Sequence, residues 1–152
     1  MYQSFRSLLF GATLLGLASL SSCSKNTAVS PTGSPAQLLV GQWQLATSTN
    51  GMTGRTTPAD PAQRRELVFT SAGQMTTLLN GSAVDTTPYS LVQQQSTLSQ
   101  QLKTYLDTAP GTMQRPLTVV RVDATTLTLS MDAYDGPGAT YQREQPGFCG
   151  NR

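Results

Sequence analysis

Residues 38–145 predict an all-β domain of about eight short antiparallel strands, the make-up of a small barrel or sandwich. Three observations predict it. Apolar residues recur at alternate positions in short runs, turn chemistry separates the runs, and the runs recur every 8 to 15 residues or so, as strands of a compact antiparallel sheet do.

Leu39, Gly41, Trp43 and Leu45 share one face of a first strand, with Val40, Gln42 and Gln44 on the other. A polar loop over residues 50–63, with two Gly and two Pro, follows. Leu67 and Phe69 then alternate with Glu66 and Val68, and Ser71-Ala72-Gly73 supplies a turn. Asn80-Gly81 is the strongest hairpin signal in the chain, because a type I′ turn needs positive φ at both central residues. It is expected to join a strand over residues 75–79 to one running through residues 89–92. Residues 117–122 and 127–131 form another pair, turned at Asp123-Ala124-Thr125, and residues 139–144 form the last strand. Between them, Leu98, Leu102, Tyr105 and Leu106 fall at a helical spacing, yet the Thr and Ser content and the surrounding strands favour β for residues 96–107.

The amino terminus carries a different message. Arg6 precedes an apolar run over residues 8–20, the layout of a secretory signal. Thirteen helical residues reach roughly 20 Å, short of the roughly 30 Å hydrocarbon core of a bilayer. The run ends at Leu20-Ser21-Ser22-Cys23, which resembles the lipobox of bacterial lipoproteins, where the Cys thiol takes a diacylglyceryl group before cleavage on its amino side. The resemblance implies removal of residues 1–22, a lipid on Cys23 and a membrane as the first partner. Ser24, where Asp is absent, implies the outer membrane of a cell envelope. Residues 23–37 are almost free of apolar side chains and read as a flexible tether, residues 38–145 as the domain and residues 146–152 as a tail.

Composition narrows the chemistry. The chain carries 10 Lys or Arg against 8 Asp or Glu, and its longest basic run in the domain is Arg64-Arg65, too little to track a phosphate backbone, so no nucleic-acid partner is expected. There is no His, which removes the usual general base and the commonest metal ligand. Asp132 and Asp135 invite comparison with a calcium loop, but the position owed to a bidentate Glu is Arg143, so the segment reads as a Gly-Pro turn. With Cys23 lipidated, Cys149 has no partner within the chain. The expectation is a non-enzymatic protein with no cofactor and no metal.

At residues 38–45 the chain resembles the lipocalins and, more closely, small lipocalin-like bacterial lipoproteins. In lipocalins a Gly-x-Trp on the first strand sets the indole across the closed end of an eight-stranded up-and-down barrel, and an Arg on the last strand packs over it. Gly41 and Trp43 match the first element, and Arg143 falls where the second should be, on the same face as Tyr141. The Thr-Asp-Tyr motif of the family is absent, Val122-Asp123-Ala124-Thr125 standing in its place, and too few residues follow Glu144 for the family's carboxyl-terminal helix. The resemblance implies a small apolar ligand in the barrel mouth, with Val119, Leu127, Leu129 and Met131 as lining. An eight-stranded barrel is also narrow enough to be filled by its own side chains. The alternative is therefore an envelope interaction module whose interior is closed by Phe69, Tyr89, Leu129 and Met131, presenting loops 50–63 and 107–115 to a protein or glycan.

Overall fold

The computed structural model describes residues 33–108 and 117–144. They form an all-β barrel. After one helical turn, α1 (Pro35–Leu39), come β1 (Gly41–Thr49), β2 (Thr56–Pro58), β3 (Arg65–Phe69), β4 (Gln74–Leu79), β5 (Ser82–Gln95), β6 (Leu102–Thr108), β7 (Leu117–Val122), β8 (Thr126–Met131) and β9 (Gly138–Arg143). From β3 to β9 each strand pairs with the next, β1 pairs with β3, and the barrel closes where β9 returns to β1. Eight strands thus make an up-and-down barrel, and every pairing in it is antiparallel. β2 is an addition: it extends the edge of β1 beyond the stretch held by β3, pairing Thr47 with Pro58 and Thr49 with Thr56.

The chain folds ahead of its expected boundary at Leu38. Ser34-Pro35-Ala36-Gln37 is a capping box, in which the Ser34 hydroxyl accepts from the Gln37 amide and the Gln37 carboxamide oxygen accepts from the Ser34 amide at 3.1 Å, with Pro35 fixing the first helical φ. Leu39, expected on the first strand, is the last residue of this turn and is fully buried. The strand starts at Gly41.

Turn chemistry sets the registers. Asn80 (φ 52) and Gly81 (φ 80) make the type I′ connection between β4 and β5. β5 begins directly after it and runs 14 residues, longer than its apolar pattern foretells. Its first half, with exposed Val84 and a run of polar residues, pairs with β4 as far as Pro88, and its second half pairs with β6 from Tyr89 onward. Pro88, which has no N–H to give a ladder, sits at the change of partner. Residues 96–101 are not strand but the turn between β5 and β6: the Ser96 hydroxyl accepts from the amides of Leu98 and Ser99, and Gln100 takes φ 58. The strand expected there is confined to β6. At the β7–β8 turn the Asp123 carboxylate accepts from the amides of Thr125 (2.9 Å) and Thr126 (2.8 Å).

The interior is packed. Leu39, Trp43, Leu67, Phe69, Met75, Leu106, Leu127 and Leu129 form one buried cluster, against which Tyr89, Leu91, Leu117, Val119, Val122 and Tyr141 lean. Phe69 and Tyr89 meet edge to face with ring centroids 5.1 Å apart, a favoured aromatic geometry, and Tyr89 donates its hydroxyl to the Thr70 carbonyl at 3.1 Å.

Candidate functional site

Two sets of side chains are candidates, one at the α1 end of the barrel and one in its wall. At the α1 end, Trp43 is fully buried and donates its indole N–H to the Leu39 carbonyl at 2.7 Å. The Arg143 guanidinium lies over the indole, 4.1 Å from the ring centroid, as paired β1 and β9 place the two residues directly opposite each other. Arg143 donates to the Val40 carbonyl at 2.8 Å and to the Leu38 carbonyl, so it holds the peptide that leaves α1. Burial pushes the guanidinium's pKa down, yet an arginine remains charged at any ordinary pH. Gly41 adopts φ +140, and a Cβ there would run into the guanidinium. Gly41 and Trp43 of the Gly-x-Trp pattern and Arg143 of the last strand therefore form one structural plug of cation, indole and helix-turn carbonyls.

The second set arises where the wall is incompletely laced. Among the described residues β6 and β7 pair at Tyr105–Thr118 and Leu106–Leu117, and the ladder does not continue into residues 102–104. A crevice of about 440 Å³ opens beside these pairs, lined by residues 102–104 of β6, residues 118–120 of β7, and Ser130 and Met131 of β8. Val119 and Met131 are among the residues that line this crevice. Leu127 and Leu129 do not line it. They face the packed interior, 0% and 2% exposed, because they sit at inward positions of β8 paired across to Val122 and Val119 of β7.

Beside the crevice, the Asp132 carboxylate gathers three donors: the buried Ser96 hydroxyl at 3.1 Å, the Lys103 ammonium at 2.6 Å and the Tyr105 hydroxyl. The contact ties the β5–β6 turn to the segment after β8. Its donors hold the Asp132 carboxyl down at about 2, the Lys103 and Tyr105 hydrogen bonds leading, and the same contact with Asp132 pushes the Tyr105 phenol up. Asp123 is also held at about 2, chiefly by the amides of Thr125 and Thr126. A carboxyl whose pKa is lower folded than unfolded stabilises the fold fully above its unfolded value and loses that contribution as pH falls through the folded one. Thermal midpoints are accordingly expected to hold down to about pH 4 and to decline between about pH 4 and 2, with the decline shallower in Asp132→Asn and Asp123→Asn. Parallel wild-type and variant curves would refute the assignment.

Among the described residues, no three Cys, Asp or Glu side chains gather in a metal-binding group. Cys23, Cys149 and residues 109–115 of the expected second loop lie outside the described residues. Comparison with protein-family models, with curated proteins and with solved structures finds no match. The fold alone defines the class, a closed eight-stranded antiparallel barrel with a packed interior and a crevice in its wall.

Proposed function

We propose that this is a non-catalytic, lipocalin-like binding module held at the outer membrane through lipid on Cys23, which takes a small apolar or amphipathic molecule in the β6–β7–β8 crevice. The lipobox-like Leu20-Ser21-Ser22-Cys23 supports the anchor. The observation that carries the binding reading is the crevice: about 440 Å³ is within the size of small-molecule clefts, about 300–1,000 Å³, and its lining is half apolar (Leu102, Val119, Val120, Met131) and half polar (Lys103, Thr104, Thr118, Ser130), which suits an amphipathic ligand. Leu102 and Val120 expose most of their side chains at its rim, an arrangement a bound apolar group would cover.

Titration with the uncharged fluorescent probe N-phenyl-1-naphthylamine is expected to give one saturable site of micromolar-class affinity. Val120→Glu, which sets a charge in the crevice from an exposed position, should weaken binding about tenfold or more and leave the unfolding midpoint in place, because an unpaired charge is costly to desolvate. Absence of saturable binding would refute this reading and leave the second one, an interaction module. That reading draws on the packed interior and on Met52 and Tyr134, 84% and 93% exposed, carried by neighbouring loops where Gly51 abuts the Asp135 carbonyl.

A further inference from the structure

We infer that the crevice selects a single-chain amphiphile with an anionic, hydrogen-bond-accepting head, carboxylate being the simplest, seated on the Lys103 ammonium and the Thr118 hydroxyl. The inference rests on the crevice being the ligand site and adds which chemistry it prefers.

Among the described residues, Lys103 is the only charged one lining the crevice, and it is positive. Its ammonium has three N–H groups, of which one is spent on Asp132 among the described residues. Asp132 does not depend on Lys103 alone, since Ser96 and Tyr105 also donate to it, so the ammonium can share its charge with a second acceptor while Asp132 stays satisfied. Thr118 also lines the crevice and is 5% exposed, and its hydroxyl makes no hydrogen bond within the described residues. That hydroxyl is not sealed in, because no buried side-chain oxygen lacks a partner, so the small exposed part of Thr118 includes its oxygen at the crevice. A nearly buried hydroxyl with no hydrogen bond within the described residues, in the same crevice as a lysine with N–H groups to spare, offers an incoming acceptor two donors. Val119, Val120 and Met131 supply the apolar wall for a chain attached to that acceptor. The volume of about 440 Å³ suits one short chain and is too small for a two-chain phospholipid.

The test uses the full chain with N-phenyl-1-naphthylamine bound, displaced by three twelve-carbon amphiphiles below their micelle concentrations: dodecanoate, dodecanol and dodecyltrimethylammonium. Dodecanoate is expected to displace the probe at about tenfold lower concentration than dodecanol, with the cation weakest, since charge-assisted hydrogen bonds are about twice as strong as neutral ones. Lys103→Met should abolish the preference of dodecanoate over dodecanol while dodecanol itself is unaffected, and Lys103→Arg should keep the preference. Thr118→Val, nearly isosteric and independent of the Asp132 contact, should reduce it about threefold. It is the deciding variant if Lys103→Met does not fold. Phosphatidylglycerol vesicles should not displace the probe. Equal displacement by all three amphiphiles, or a preference that survives both Lys103→Met and Thr118→Val, would overturn the head-group inference and leave the crevice as an apolar site. Failure of every amphiphile to displace bound probe would instead overturn the crevice reading itself.

Discussion

Trp43→Ala is expected to cost about 3–5 kcal/mol, the range for deleting a buried Trp or Phe side chain, which is a large share of the roughly 5–15 kcal/mol that holds a domain together. Trp43 is fully buried at the head of the core cluster, and its loss leaves the Leu39 carbonyl without its donor and Arg143 without its ring. Arg143→Ala attacks the same plug from above. It removes a cation–π contact of about 0.5–2 kcal/mol and leaves the Val40 and Leu38 carbonyls short of partners at about 1 kcal/mol each, so about 2.5–4 kcal/mol in all is expected. Arg143→Lys should recover little of this, since one ammonium cannot lie flat on the indole and reach both carbonyls as a planar fork does. Far-UV circular dichroism in denaturant measures all three variants. The single Trp of the chain also makes fluorescence a direct reporter, and Arg143→Ala should shift the Trp43 emission. An unchanged spectrum together with an unchanged midpoint would show that the guanidinium does not pack there in solution.

The plug was legible in the sequence because each of its parts carries a strong local signal. Gly41 is forced by the approach of Arg143, Trp43 is fully buried in the core cluster, and strand pairing puts Arg143 opposite Trp43. The Asn80-Gly81 and Asp123-Ala124-Thr125 turns were legible for the same reason, each acting through its own backbone. Elements without a hydrophobic period were not. The first half of β5 is exposed and polar, and it is held by backbone pairing to β4, which leaves no pattern in its side chains. The α1 turn is announced by Ser34 and Gln37, but in the low-apolar stretch before the domain that capping signal is outweighed by composition.

Val119 and Met131 stood out as apolar residues of a late hairpin, and nothing local separates them from Leu127 and Leu129, which alternate in the same two strands. What separates them is that the β6–β7 ladder stops after Thr118, a long-range event with no residue signature of its own. The polar half of the site is more remote still. Lys103 and Asp132 lie 29 positions apart, and Thr104, Thr118 and Ser130 are ordinary β formers in a chain rich in Thr and Ser. A hydroxyl becomes informative only once burial and the absence of a partner are both known, as they are for Thr118 among the described residues.

Cys23→Ser is expected to move the protein out of the membrane fraction or to leave it as an uncleaved precursor, the largest change any single substitution here should produce. On the proposed lipoprotein reading, processing removes the apolar run over residues 8–20, and membrane retention would then depend on acyl chains. One chain holds a protein only marginally at about 0.8 kcal/mol per buried CH₂, whereas the two or three of a mature lipoprotein make the attachment effectively permanent. Intact-mass measurement of the wild-type membrane form should therefore give residues 23–152 plus acyl groups, and a mass that fits residues 23–152 with nothing added would end the lipoprotein reading. Anchor and crevice are separate claims, because Cys23 precedes the first described residue and no crevice residue comes before Leu102. Probe affinity should consequently be the same in Cys23→Ser as in the wild-type chain. Loss of binding in that variant would mean that the anchor, and not the β6–β7 seam, supplies the apolar surface the probe reports.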